Sequence, residues 1–350
     1  MPSALTKNIP EVDLGWLARI MDQDGAALVA ADWSPVGTGQ VADSFRGSLS
    51  WQGEAGPGSI IMKCPSSDPT SRETGVNFGL YAKELSWYTT LAQKTEVNCP
   101  KYYGSQIDEN TGDFKLILQD CAPASQGDQI RGASLEQVRK GIAELAHLHA
   151  PFFNDEAIVT NELTRRDPEL SKFRVGLYAD CWPKFRARYK GRLDPEILTM
   201  GDYFERKFEQ YASRKPESFS LIHGDFRIDN LLFGGMKDRA VVLDWQTIVE
   251  DCPMKDVAYF ISTSFAVPAV RKAHEEALLQ EYFTILKQSH VAANEDALRK
   301  EYKVQALAGV VMAVLSSMLV ERTERGDEMF ALMAERPGYQ ALELDSVSLI

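Results

Sequence analysis

Three side chains that offer oxygen atoms stand at fixed intervals in segment 221–246, LIHGDFRIDNLLFGGMKDRAVVLDWQ. They are Asp225, Asn230 five positions later, and Asp244 fourteen positions after that, where it closes the apolar run VVLD. Phosphoryl transfer is the chemistry this set suits, because it asks a protein for positioning and charge neutralisation rather than covalent work. Asp225 is placed to accept or orient the proton of an attacking hydroxyl. Asn230 and Asp244 are placed to hold Mg²⁺ against the phosphates of a nucleotide. Mg²⁺ takes hard oxygen ligands and keeps several waters, so one amide oxygen and one or two carboxylates suffice. Singly, each residue reads equally well as ordinary structure: HGD followed by DN is rich in turn formers, and Asp244 could cap a strand end. The joint spacing favours the metal-site reading. His223 is expected to be structural, bonding backbone or Asp244, and Asp229 to cap the turn.

Two short strands must position this set. Leu231–Phe233 and residues 240–243 are apolar runs, and a hairpin between them brings Asn230 and Asp244 to the same end. An enzyme of this kind also needs a strand lysine to reach the nucleotide phosphates and a helical glutamate to hold that lysine. Lys63 ends the apolar run 59–62, SIIM, and Glu84 lies in AKELSWY. Either alone reads better as a solvated surface charge; the downstream loop favours the ion pair. The stretch VGTGQ carries Gly37 and Gly39, whose backbone N–H groups could cover phosphates. It lacks a third glycine, since Ala42 stands there, and it lacks the GK[ST] ending of a Walker loop, so a plain hairpin turn is as good a reading.

Around these anchors, residues 10–31 read as a helix with Leu14, Leu17, Ile20 and Met21 on one face. Residues 36–61 read as a hairpin and a third strand, 76–94 as a helix, and 101–107 and 114–119 as strands. The chain then turns helical. Ser134 with Gln137 resembles a capping box, and Leu135, Val138, Ile142, Leu145 and Leu148 follow at helical spacing. Further helices are expected over 169–189, 196–214, 269–288 and 296–324. The uncharged run 306–320 is shorter than a membrane span needs and reads as a buried helix. No membrane partner is expected.

Segment 221–246 resembles the catalytic loop of the aminoglycoside phosphotransferase and choline kinase group, including its ecdysteroid-kinase-like branch. The shared motifs are His223-Gly224-Asp225, Asn230 and Asp244-Trp245-Gln246. PMKDVAYFI after them resembles the group's P-x-x-D-[LV]-A-Y-F, which implies that Asp256 starts a helix and braces the loop. AKELSWY resembles the group's E-x-x-[FW]-Y helix. LILQD resembles its lobe-linking strand, which implies that backbone groups from Gln119 to Cys121 meet the adenine edge; Gln119 stands where the group often has an acid. LAHLHA also fits, and there His147 and His149 are expected to pack or hydrogen-bond. The resemblance covers about residues 35–265, and its motifs are specific chiefly over 221–261.

The resemblance implies a two-lobed α+β protein-kinase-like fold, with a β-rich N-lobe over 1–120 and a helical C-lobe over 121–350. It implies ATP and Mg²⁺ as cofactors and transfer of the γ-phosphate to a hydroxyl of a small molecule. Whether that molecule is an aminoglycoside, choline or a steroid-like alcohol stays open. Aromatic residues such as Trp182, Phe185, Tyr189 and Tyr203 are available to line its pocket, or to fill a core. H-G-D in place of H-R-D, with no D-F-G or A-P-E, argues against a protein substrate. Two alternatives remain: a nucleotide-binding pseudokinase that scaffolds partners, against which the intact Lys, Asp, Asn, Asp set argues, and a helical interaction protein with a chance loop match.

Composition narrows the partners. A formal net charge of −12 argues against nucleic acid, whose phosphates are held by clustered Lys and Arg. Five cysteines, an odd number with no CxxC pair, argue against zinc or disulfides and fit a reducing cytoplasm. The N-terminus has no basic head followed by an apolar stretch, so no signal peptide is expected.

Overall fold

The computed structural model describes residues 9–37, 41–53, 56–108, 111, 113–235, 237–320 and 322–350. The chain forms two compact units, Met1–Ala92 with Cys99–Pro123, and Gln93–Asn98 with Ala124–Ile350. Residues 93–98 thus belong to the second unit and 121–123 to the first, a different division from the expected 1–120 and 121–350.

In the first unit, helix α1 (Leu14–Ile20) precedes strands β1 (Leu28–Pro35), β2 (Ala42–Trp51) and β3 (Ser59–Pro65). Helices α2 (Pro69–Asn77) and α3 (Leu80–Ser86) follow, and the helical path runs on through a π turn, Trp87–Leu91. Strands β4 (Tyr102–Ile107) and β5 (Phe114–Gln119) complete an antiparallel sheet of order β1-β2-β3-β5-β4. Along β3 burial alternates: Ile60, Met62 and Cys64 enter a core with Leu17, Phe45 and Ile117, which turns Lys63 to the other face.

The expected helix over 10–31 is corrected here. It ends at Ile20, and β1 begins at Leu28. The sequence DQDG turns the chain at residues 22–25, with Asp22 at φ 61°. The expected helix over 76–94 is also interrupted, because Gly79 adopts φ 64° between α2 and α3. Only a residue without a Cβ takes that conformation at little cost.

In the second unit, β6 (Ser125–Gln126) precedes α4 (Leu135–His149), α5 (Glu156–Thr160), α6 (Pro168–Tyr189) and α7 (Pro195–Ala212). The capping box is present: the Ser134 hydroxyl accepts from Gln137 N at 3.2 Å, and the Gln137 side chain accepts from Ser134 N at 3.0 Å. Helices α6 and α7 open with proline after an aspartate cap, Asp167 or Asp194, which satisfies N–H groups that have no partner inside the helix. Short strands β7 (Ser220–Ile222), β8 (Leu231–Phe233), β9 (Val241–Val242) and β10 (Val249–Asp251) come next. They form two small antiparallel sheets, β6-β8-β9 and β7-β10. Helices α8 (Pro253–Ser264), α9 (Pro268–Gln288), α10 (Glu295–Gln305), α11 (Ala308–Leu319) and α12 (Glu324–Glu343) close the unit.

The helix expected over 296–324 is therefore two helices and the first residue of a third. The bend at residues 306–307 and the extended residue Val320 let α10, α11 and α12 each lay side chains into one core. Gly309 lies against Pro337 of α12, where a Cβ would come within 2.4 Å of the ring. The stretch Glu295–Leu319 is long and apolar enough to cross a membrane, but Leu307, Ala308, Val310, Ala313 and Val314 pack in this core. Trp182, Phe185 and Tyr189 are in the same core. Tyr203 is 57% exposed, with the Arg206 guanidinium 4.7 Å from its ring centre.

Candidate active site

The loop after β7 carries His223, Asp225 and Asn230. Backbone N–H groups of His223 and Gly224 donate to the two carboxylate oxygens of Asp256, at 2.6 and 2.9 Å. Asp256 is buried in the first turn of α8 and also meets His149 Nε2 at 3.4 Å, while His149 Nδ1 lies 2.9 Å from the Tyr282 hydroxyl. Gly224 has φ 82°, and a Cβ there would come within 2.6 Å of Thr247 O, so the turn admits only glycine. The His223 ring donates from Nε2 to Leu243 O at 2.9 Å and accepts from Asp225 N at Nδ1, 3.3 Å. Its partners require one protonated and one bare nitrogen, so it ties the Asp225 end of the loop to the Asp244 end. The ring thus bonds backbone groups, one of the two kinds of partner the sequence implies.

Replacing Asp256 by alanine leaves two buried N–H groups without an acceptor. The expected cost is about 2–5 kcal/mol of stability, read from urea unfolding followed by circular dichroism. Asp256→Asn, which keeps one acceptor oxygen, should lose less. An alanine variant with wild-type stability would remove the brace.

Asp225 is held from three sides. Its Oδ1 accepts from the Tyr259 hydroxyl at 3.1 Å. Its Oδ2 accepts from Asn230 Nδ2 at 3.0 Å and Arg227 Nε at 3.3 Å. Asn230 Nδ2 also donates to Asp225 O at 2.8 Å. The amide nitrogen is thus committed to Asp225, and Asn230 Oδ1 makes no hydrogen bond among the described residues. That oxygen is the atom left for a cation.

Asp244 follows β9, which pairs with β8 through Leu231 opposite Val242. Leu243 N donates to Asn230 O at 2.9 Å, so the hairpin sets Asp244 beside Asn230, as the apolar runs predict. Asp244 sits at φ 65°, ψ 65°. A left-handed conformation costs a residue with a Cβ on the order of 1–3 kcal/mol and persists only when the surroundings impose it. Trp245 supplies part of that imposition: it is fully buried, with its indole N–H directed to Val242 O at 3.3 Å.

Several contacts of this loop have no signal in the local sequence. Asp229 does not cap its own turn; it accepts from Gln129 N at 2.7 Å and Arg227 Nη1 at 2.7 Å. Buried Gln129 also accepts from Ile228 N, and Arg336 of α12 donates to the carbonyls of Gln129 and Ile130 at 2.7 and 2.8 Å. Arg227 is readable only as a charge within HGDFRIDN, and Tyr259 only as part of the apolar face of α8.

The first unit holds the other expected residues. Lys63 Nζ lies 2.5 Å from Glu84 Oε1, and the Glu84 side chain is fully buried. Loss of Lys63 would strand a buried carboxylate without its charge partner. Gly37 has φ 74° with no atom within 4 Å of where a Cβ would stand; Gly39 lies outside the described residues. Gln119 ends β5, with its N–H donated to Lys101 O at 2.8 Å and its side chain accepting from Lys101 N at 3.2 Å. Asp120 pairs with Arg46 at 2.7 Å and accepts from the Ser59 hydroxyl at 2.8 Å. Burial pushes the Cys121 thiol up to about 11.

Residues 70–288 match the phosphotransferase enzyme family. The chain belongs to that family. It is accordingly a phosphotransferase. Solved structures agree on the fold. A choline kinase from Cryptosporidium parvum Iowa II is 12% identical with a TM-score of 0.54, covering 90% of this chain and 89% of its own. The GDP complex of aminoglycoside 2′-phosphotransferase-IIIa is 14% identical with a TM-score of 0.52, covering 94% and 99%. A microcompartment-associated aminopropanol kinase is 13% identical with a TM-score of 0.52, covering 91% and 95%. At these identities the likeness establishes the α+β protein-kinase-like fold. Among curated proteins, probable acyl-CoA dehydrogenase IBR3 of Arabidopsis thaliana is 35% identical over 71 residues, which are 20% of this phosphotransferase and 8% of that protein.

Proposed function

We propose that this phosphotransferase is an ATP- and Mg²⁺-dependent kinase that moves the γ-phosphate to a hydroxyl of a small molecule. One observation carries the reading: Asn230 spends its amide nitrogen on Asp225, its side-chain oxygen makes no hydrogen bond among the described residues, and Leu243 N bonds its carbonyl just before an Asp244 in left-handed conformation. An amide oxygen and a carboxylate are the hard donors Mg²⁺ prefers. They are the residues that would hold it, and the ion would neutralise charge on the phosphates. Asp225 orients the acceptor hydroxyl and takes its proton as the new P–O bond forms; the bond to the β-phosphate oxygen breaks, and ADP leaves with that electron pair. Tyr259, Asn230 and Arg227 fix the carboxylate so that little reorganisation is needed. Lys63, held by Glu84, serves the nucleotide phosphates. Gly37 and the backbone from Gln119 to Cys121 are the remaining nucleotide contacts of this reading, with Gly39. A reducing cytoplasmic setting goes with it, in keeping with an odd number of cysteines and no CxxC pair in the sequence.

The test is a thermal-shift titration with ATP and with GTP, each with and without Mg²⁺, followed by ADP formation over a panel of alcohols. GTP is included because one relative of this fold is a GDP complex. The expected result is a Tm rise that needs both nucleotide and Mg²⁺; binding at 100 times Kd stabilises by about 2.7 kcal/mol. A Tm indifferent to nucleotide sinks the reading. A rise without turnover on any alcohol would favour the scaffold alternative.

A further inference from the structure

The side chains beside the proposed base alternate in charge. Asp225 meets Arg227 at 3.3 Å, and Arg227 meets Asp229 at 2.7 Å. Asp229 meets Arg325 at 3.9 Å, Arg325 meets Asp128 at 3.9 Å, and Asp128 meets Arg131 at 3.5 Å. Each of these three carboxylates therefore already faces a guanidinium, in a chain whose formal net charge is −12.

The guanidinium groups are less fully used. Arg227 donates from Nε and Nη1, to Asp225, Asp229 and the Met329 sulfur; among the described residues its Nη2 makes no hydrogen bond. Its side chain is 16% exposed. Arg325 makes no hydrogen bond among the described residues, only the two ion pairs at 3.9 Å, and its side chain is 52% exposed. Both arginines meet Asp229, Arg227 at Oδ2 and Arg325 at Oδ1, and Arg227 also meets Asp225. A guanidinium offers planar, paired N–H groups that match a carboxylate or a phosphate. An ammonium group brought to the same place would meet Asp128, Asp225 and Asp229 already paired and would be repelled by Arg325.

Resting on the reading of Asp225 as the base, we propose that the acceptor is an anionic alcohol. Arg325 and Nη2 of Arg227 hold its carboxylate or phosphate while its hydroxyl meets Asp225. This separates the protein from relatives named for choline and aminopropanol, both amino compounds. The transfer balances as before: the acceptor O–P bond forms, the bond between the γ-phosphorus and the β-phosphate oxygen breaks, and the proton passes through Asp225 to water.

The experiment has two arms. In the first, ADP formation with Mg²⁺-ATP is compared for glycerate and glycerol phosphate against choline, aminopropanol and kanamycin. The expected kcat/KM is at least about tenfold higher for an anionic acceptor, since one charge-assisted hydrogen bond is worth about a factor of 10–100. Which anionic acceptor wins tells carboxylate from phosphate. The second arm is calorimetric titration of the same compounds, which needs no turnover. Arg325→Glu should weaken the anionic compounds about 10- to 100-fold in Kd and KM; Arg325→Lys, which keeps the charge, should restore part of the loss. Amines bound or turned over better than every anion, no anion bound at all, or anion affinity unchanged in Arg325→Glu overturns the inference. Kinase activity on amines would overturn it while leaving the kinase reading intact. Anion binding without turnover on any alcohol would support it as a binding site and count against the base role.

Discussion

Asp225→Ala lowers acceptor-dependent turnover by about 10²- to 10⁴-fold, with KM for the nucleotide nearly unchanged. The carboxylate is the one group in the loop that Tyr259, Asn230 and Arg227 all converge on. A proton acceptor fixed in this way acts in the transition state, not in nucleotide binding, so the loss belongs in kcat. Asp225→Asn discriminates further. It keeps the side-chain volume and an acceptor oxygen for Tyr259, but it cannot take a proton and turns an NH₂ toward Asn230 or Arg227. It should be as inactive as the alanine variant while unfolding at a higher temperature. A coupled assay for ADP gives the rates, and circular dichroism melting gives the stability. Turnover within a few-fold of wild type in either variant would remove Asp225 from the chemistry.

Asp244→Ala should abolish the Mg²⁺-dependent part of nucleotide binding, seen as loss of the calorimetric signal that EDTA removes from the wild type. Two expected effects can be separated at this position. The carboxylate is the proposed metal ligand, and the backbone carries the left-handed conformation at φ 65°. Asp244→Gly removes the same ligand yet relieves the backbone. It should therefore melt higher than Asp244→Ala, by about 1 kcal/mol of stability. Equal nucleotide affinity in wild type and both variants, measured with saturating Mg²⁺, would rule out the metal role. Equal melting of the glycine and alanine variants would mean that the surroundings do not hold the backbone under strain.

Legibility differed sharply between elements. Strand β5 appears at the residues expected, because a short apolar run, FKLILQ, between polar flanks has few competing readings. Helix α4 begins where Ser134 and Gln137 say it should, because a capping box acts within four residues. The helix expected over 10–31 failed at its second half. AALVAAD carries apolar residues that serve a strand as well as a helix, and pairing with β2 chose the strand. The long C-terminal helix failed for a related reason. Its apolar period runs past the bend at 306–307, and only packing against α6 and α12 puts the bend there.

At the site, the amino-acid order alone determined the types and intervals of Asp225, Asn230 and Asp244, the hairpin that pairs the last two, and the lysine and glutamate that meet in the first unit. Those are short-range matters of strand pairing and helix phase, so they are written locally. Tertiary structure alone decided which way the Asn230 amide faces, that Asp244 is held left-handed, and that Arg227 binds Asp225 instead of water. It also decided that Gln129 and Arg336 anchor the loop across as many as 207 positions of chain. Hydrogen bonds of that span depend on which buried donors and acceptors are left over once the core has packed, and no local pattern records that remainder.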